Sequence, residues 1–406
     1  MSAEKPPSER KILLLIAAVQ FVNILDFMMV MPLGPDFAKE LGIATSHLGV
    51  VGGSYTAAAA VSGLVAATFL DRFDRRKALV GALLGLVMAT AMGGLASGFW
   101  SLIAARVLAG AFGGPATSVA LAIVADTVPP ERRGRAMGLV MSAFSAASVL
   151  GVPAGLQLSA VGGWRSPFFA VAGLGLLVAV LAFPFLPSMT SHIGLSRGRF
   201  LDIFSILKRP VVALSLLTVV TTMVGQFALI PNLSAYIQFN LGFPREKLQS
   251  LYMAGGFVTF VTLRLAGRLT DRIGSSRSAA LGTALYLLTL YAFIIHPLPQ
   301  IPIMLLFVSF MVTGSFRFVP MQTLSSKVPH PSERARFMSL QSCTQHMASS
   351  LGAVVASQVL SAEPDGKLVG LNMVATGTAC LALLVPFMLA LVEAKLAGKP
   401  ALATAS

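Results

Sequence analysis

Long apolar stretches recur along the chain, nearly free of interior charge and each closed by glycine, proline or charged residues. A helix needs about 20 predominantly apolar residues to cross the hydrocarbon core of a bilayer. Twelve segments reach that length, predicting helices near 12–36, 48–70, 78–98, 100–127, 137–158 and 167–187, and then near 211–239, 249–270, 278–296, 301–326, 337–360 and 371–395. A basic, polar stretch at 188–210 separates the two sets. The expected fold class is an all-α polytopic membrane protein, with residues 1–187 and 211–406 as two six-helix bundles and 188–210 as their linker.

Composition agrees with the pattern and sharpens it. Of 406 residues 55% are apolar and only 11% charged, and the mean hydropathy is +0.80. A soluble globular protein carries about 25% charged residues to cover its surface, so most of this surface faces lipid and a soluble enzyme is excluded. The 37 Gly and 23 Pro fit spanning helices, which tolerate both. The first apolar run follows Lys5, Arg10 and Lys11 as a signal peptide would, but it passes through Asp26, ends in Pro32 and Pro35 and lacks a small-residue cleavage site, so a retained span is expected. Cys343 and Cys380 both lie in apolar stretches, which suggests neither a disulfide nor a metal site.

The net charge of +14 invites a nucleic-acid reading until its positions are considered. Lys and Arg collect on alternate connections, the pattern expected of cytoplasmic loops with both termini inside. The other connections hold only Lys39, Arg165, Arg245, Lys247 and Lys367, while Arg106, Arg264 and Arg317 fall within spans. The charge is therefore topological, and nucleic acid is not an expected partner.

The chain also repeats over about half its length. Asp71-Arg72-Phe73 after the second helix corresponds to Asp271-Arg272-Ile273 after the eighth, and Arg133-Gly134-Arg135-Ala136-Met137 to Arg334-Ala335-Arg336-Phe337-Met338 after the fourth and tenth. Parallel repeats of six helices, related by an axis along the membrane normal, place a substrate site between them near the midplane. That is a transporter's plan.

These motifs resemble those of the major facilitator superfamily over nearly the whole chain. The loop Ala67-Thr68-Phe69-Leu70-Asp71-Arg72-Phe73-Asp74-Arg75-Arg76 is similar to the G-x-L-a-D-R-x-G-R-K signature, departing at both glycines. Its second copy, Gly267 to Gly274, keeps them but has Ser275 and Ser276 in place of the following basic pair. Leu102-Ile103-Ala104-Ala105-Arg106-Val107-Leu108-Ala109-Gly110 resembles the fourth-helix pattern of proton-coupled exporters, with Ala109 for the usual Gln. Gly151, Pro153 and Gly155 look like the G-x-P-x-G form of the antiporter signature. The resemblance implies the drug:proton antiporter branch and alternating access. It also implies a gating role at the cytoplasmic ends of the halves for Asp71, Arg72, Arg75, Asp271 and Arg272. Plain positive-inside charge explains the basic members of that set but not the acids.

Among the 16 acidic residues only Asp26 lies well inside an apolar helix. An intramembrane carboxylate is costly unless protonated, paired or hydrated, and marks function by default. Asp26 is the expected proton carrier, with Gln20 and Asn23 at three-residue spacings completing a polar strip; a helix-packing hydrogen bond is the plainer alternative. Arg106 is expected to pair with Asp26, or else to snorkel to the nearby surface. Expected cargo contacts are Gln20, Asn23, Gln226, Asn232, Arg264, Arg317, Gln345 and His346. His346 changes charge near neutral pH but also suits a packing role, and Pro231 suits a simple kink.

The sequence thus predicts proton-coupled efflux of a small organic compound by a monomer of the cell inner membrane. No metal or other cofactor is expected. A facilitator or symporter importing a metabolite is the alternative on the same fold. The five scattered His and the absence of hydrolase or phosphate-loop patterns disfavour an enzyme.

Overall fold

Hydrocarbon offers the backbone no hydrogen-bond partner, so each apolar segment must satisfy its own peptide groups as a helix. The computed structural model describes residues 9–69, 72–190, 206–329 and 334–397. The first six spans are Glu9–Met29, Leu48–Phe69, Arg75–Gly94, Phe99–Thr127, the pair Pro130–Ala146 and Val152–Gly162, and Arg165–Phe185. The second six are Pro210–Ala235, Leu248–Ile273, Ser275–Leu290, Ile303–Ser325, Arg334–Val359 and Leu371–Ala397. Eleven of these crossings are apolar enough for a bilayer by composition. The eleventh span, Arg334–Val359, is long enough but is broken up by Gln341, Gln345, His346, Ser349 and Ser350.

The predicted first helix is too long. It stops at Met29 because Pro32 has no N–H and its ring would strike the carbonyl of Met28 in a continued helix. A separate short helix, Gly34–Leu41, follows, with Pro35 in its first turn, where the missing donor is harmless. Asp26 therefore sits about one turn from the end of its span rather than near the middle. Three other spans contain or end in a π turn, at Ala147–Gly151, Tyr236–Asn240 and Tyr291–Ile295. At the first, Val152 N–H reaches back to Ala147 O, and Pro153 can follow without the clash an uninterrupted α-helix would impose.

We term the side where the first span begins, and where the 188–210 stretch lies, the basic face. One apolar core fills the first half from its basic end to the far face and continues into the far-face part of the second half. It runs from Ile12 and Phe168 in the first half to Leu251, Phe307 and Leu371 in the second. The basic end of the second half has a core of its own, including Val212, Phe337, Leu340 and Leu389, against which Leu64 of the first half rests.

Hydrogen bonds between the halves cluster on the far face. Arg245 donates Nε to Asp36 Oδ1 at 2.8 Å and also donates Nη2 to Oδ2. Ser159 donates to the same carboxylate at 3.2 Å. Ser234 donates to Pro32 O at 3.0 Å, and Thr45 to Gly366 O at 3.0 Å. Gly366 lies in a short hairpin whose strands, Ser361–Ala362 and Leu368–Val369, pair antiparallel. The fifth and eighth spans cross where Gly256 leaves no room for a side chain: a Cβ there would stand 2.6 Å from Ser148 O.

The Asp36 and Arg245 side chains are each about one-quarter exposed, so their bidentate pair is more than a solvated surface contact. Arg245→Gln is expected to weaken far-face closure by about 1 kcal/mol, roughly a fivefold change in the ratio of closed to open molecules. Spin-label distances across the far face check this, and a distribution unchanged from the parent would refute it.

Candidate functional site

Asp26 is fully buried and Arg106 is 1% exposed. Asp26 Oδ2 accepts from Arg106 Nη1 at 2.9 Å, and Oδ1 accepts from Thr90 Oγ1 at 2.8 Å. The pair thus joins the first, third and fourth spans. Snorkelling of Arg106 is excluded by this burial. Its guanidinium also lies 4.6 Å from the ring centre of Tyr55 in the second span, so four helices contribute to one charge pair.

A chain of polar groups leads away from it. Tyr55 Oη donates to Asn23 Oδ1 at 2.6 Å, and Asn23 Nδ2 donates to Thr117 Oγ1 at 2.6 Å and to Gly113 O at 2.9 Å. Thr117 in turn donates to Gln20 Oε1 at 3.2 Å. The approach depends on small residues in the fourth span, since a Cβ on Gly113 would stand 2.7 Å from Asn23 Oδ1. Ser62 bonds Gly110 O at 3.2 Å in the same close crossing. Tyr55, Thr90 and Thr117 were not legible as site residues, because one hydroxyl within an apolar run has no periodic signature.

Thr117 faces a recess between the halves, which it lines with Gly63, Ser118, Ser342, Cys343 and His346. The recess holds about 30 Å³, enough for water rather than for an organic molecule. Beside it on the eleventh span, Gln341 and Gln345 both donate to Gln322 Oε1 of the tenth. Gln322 is a further polar group that the sequence pattern did not single out.

The remaining predicted cargo contacts are scattered. Gln226 is half-buried in the seventh span, with its Nε2 3.7 Å from the place a Cβ would occupy on Gly314. Asn232 is fully buried and donates Nδ2 to Ala228 O of its own helix at 3.2 Å, while its Oδ1 is buried with no hydrogen-bond partner. Arg264 is exposed and lies over Phe260 on the same helix. Arg317 is 2% exposed and stacks on Tyr286 of the ninth span at 4.3 Å. Neither arginine lines the recess. Gly151 packs on Leu25, Pro153 is buried beside the π turn, and Gly155 faces Met29 and Pro167, so the antiporter-like segment is wedged between the first span and the sixth.

Of the loop residues expected to gate, Asp71 lies outside the described residues. Arg72, Asp271 and Arg272 are exposed. Arg75 is buried and donates Nε to Asp126 Oδ2 at 3.2 Å, within the first half. The departure from glycine at Asp74 has a structural explanation. Asp74 caps the third span by accepting from Arg76 N at 3.0 Å, and it also holds Ser188 Oγ at 2.7 Å and Met189 N at 2.9 Å. Gly274, its counterpart, has φ +90° and no side chain to offer. There Glu393 of the twelfth span accepts from Ser275 N at 2.7 Å instead. Burial pushes the Asp74 carboxyl upward, but the hydrogen bonds from Met189, Ser188 and Arg76 outweigh it and hold the group below its ordinary value.

Two helical halves closed at one face, with a buried ion pair wired to a recess at their seam, define a membrane carrier. Residues 16–353 match the model of the Major Facilitator Superfamily, and the chain belongs to that family: it is a transporter, not an enzyme. It is 28% identical over 350 residues to a chloramphenicol resistance protein of Streptomyces lividans, covering 86% of this chain and 88% of that one. It is 27% identical over 279 residues to the purine ribonucleoside efflux pump NepI of Escherichia coli, covering 67% of each. In fold it is similar to a bacterial homologue of the human lysosomal transporter Spinster, in an inward-facing and occupied conformation (TM-score 0.76, 16% identity, 98% and 100% covered). It is likewise similar to a D-xylose-proton symporter (TM-score 0.75, 15% identity, 94% and 97% covered).

Breaking the Asp26 pair from one side leaves a buried charge. Arg106→Met is expected to cost about 3–5 kcal/mol, and Asp26→Leu combined with Arg106→Met to recover much of that loss. Denaturant unfolding in detergent tests this, and equal losses in the single and double variants would contradict it. Asp74→Ala should cost about 1 kcal/mol as a lost helix cap. Because the folded carboxyl is held low, the cap's contribution is complete above about pH 4 and disappears only as pH falls through the lowered folded value. A stability difference between parent and Asp74→Ala that stayed constant from neutral pH into the acid range below that value would be evidence against this linkage.

Proposed function

We propose that this transporter is a proton-coupled antiporter that exports small, hydrogen-bonding organic compounds across the cell inner membrane, with the basic face and both termini in the cytoplasm. The observation that carries the proposal is the Asp26–Arg106 pair and its link, through Tyr55 and Asn23, to Thr117 at the seam. The halves clamped on the far face correspond to an inward-facing state. In it Asp26 is ionised and satisfied by Arg106 and Thr90. A proton arriving from outside, in the alternate state, neutralises the carboxyl and loosens its hold on the guanidinium. Return to the inward state restores the pair and releases the proton to the cytoplasm, so one proton enters as cargo leaves.

The bundles 1–187 and 211–406 are the rocking bodies and 188–210 the linker. The exposed Arg72, Asp271 and Arg272, with Asp71 and Arg75, hold the cytoplasmic ends together in the outward state, and Gly151, Pro153 and Gly155 form the pivot beside the eighth span. The lining of the recess supports hydrogen-bonding cargo, since Thr117, Ser118, Ser342 and His346 offer donors and acceptors there. Gln20, Asn23, Gln226 and Gln345 lie close enough to the seam to join the cavity as it opens. Efflux as the direction is supported by the chloramphenicol resistance protein and the purine ribonucleoside pump among the relatives. A monomer suffices, because the pair and the recess are built within one chain.

Purified protein in proteoliposomes, given an imposed pH gradient and either chloramphenicol or inosine, is expected to accumulate cargo against its gradient. Asp26→Asn should abolish that accumulation while leaving exchange of cargo at equal pH. Accumulation by the variant at the parental rate would remove Asp26 from coupling, and transport indifferent to the gradient in both proteins would make the carrier a facilitator.

A further inference from the structure

The second half also holds a buried arginine stacked on a tyrosine, at a place the repeat does not match to Arg106 and without an acid beside it among the described residues. Each guanidinium lies over a tyrosine ring, Arg106 on Tyr55 at 4.6 Å and Arg317 on Tyr286 at 4.3 Å. Arg106 also donates Nη1 to Asp26 Oδ2 at 2.9 Å. For Arg317 no carboxylate is in reach among the described residues. The described acids of the second half, Glu246, Asp271, Glu363, Asp365 and Glu393, all stand at span ends or in connections.

Stacking satisfies the face of a guanidinium but not its edge, where all five N–H groups point. At Arg317 both Nε and Nη2 are buried and have no hydrogen-bond partner. These two form one side of the fork, whose parallel N–H bonds match two oxygens of a planar anion. Arg245 shows that edge filled, its Nε and Nη2 both on Asp36. Two further orphans lie on the ninth span, Tyr286 Oη and Thr283 Oγ1. They are three residues apart and so share a helix face, the face that carries the ring under Arg317. A bare buried charge is among the most costly features a bilayer protein can hold.

We propose that the Nε/Nη2 edge of Arg317 binds a small carboxylate-type anion between the ninth and tenth spans, assisted by the hydroxyls of Tyr286 and Thr283. The anion is a free one of the formate or acetate class, or the acid group of a cargo molecule; both bring two coplanar oxygens to the fork. The site is separate from the recess and stands whether or not Asp26 carries protons.

The test uses the full chain in lipid nanodiscs, titrated with sodium formate at constant ionic strength set with sodium chloride. The parent's thermal midpoint is expected to rise saturably with formate, and Arg317→Gln to lose that rise. Tyr286→Phe keeps the ring beneath the guanidinium and removes one donor, so its half-saturating formate concentration should increase by about fivefold. This variant keeps the test informative if Arg317→Gln does not fold. Counterflow of labelled acetate in proteoliposomes separates the two sources: exchange identifies the anion as part of cargo, and a formate shift without exchange identifies a resident ion. A midpoint insensitive to formate, a shift retained in Arg317→Gln, or an unaltered formate dependence in Tyr286→Phe would overturn the proposal.

Discussion

A guanidinium in the bilayer interior must find an opposite charge or remain a standing cost, and Arg106 meets that demand with Asp26. The first half is arranged around this one contact. The first span supplies the carboxylate, the third a hydroxyl for its free oxygen, the fourth the guanidinium and the second the ring beneath it. Gly110 and Gly113 follow from it, since side chains there would hold the second span and Asn23 away from the fourth. A pair so placed is stable while both charges persist and is disrupted when one is lost, which suits a proton switch better than a permanent brace.

The halves repeat in backbone and differ in charge. The start of the third span is capped by its own Asp74, whereas the start of the ninth borrows Glu393 from the twelfth. Both solutions satisfy the free N–H groups of a helix end, and each ties an otherwise loose basic-face connection to its own half. The two buried arginines differ as well: Arg106 on the fourth span has an internal counter-charge, and Arg317, at a different level of the tenth, has none among the described residues.

The far face explains how such a molecule moves. The shared core and the Asp36–Arg245 contact hold that side closed, while the basic end of the second half keeps a core of its own. At the basic face the second half is therefore packed largely on itself, with Leu64 of the first half resting against it. The tightest crossing, Gly256 on Ser148, coincides with the π turn that precedes Pro153. A helix already off the regular α ladder is a natural place for two halves to roll on one another.

The sequence by itself determined the number of spans and the two-fold repeat, and it anticipated the pairing of Asp26 with Arg106. Lipid forces long apolar runs into helices, and a charge stands out against such a background. It placed the end of the first helix too late, because Pro32 and Pro35 could lie within a long span or break it. It could not reveal Thr90, Tyr55, Thr117 or Gln322, whose polar groups look like any others along a helix until a neighbouring helix supplies the partner. Only the fold showed that Asn232 gives its Nδ2 to its own backbone and leaves its Oδ1 free, and that Arg264 is exposed. Which charges meet, and which arginine is left without a counter-ion, was decided by how six helices pack in each half. That packing joins residues separated by 64, 80 or 94 positions in the chain, and no local pattern records such a meeting.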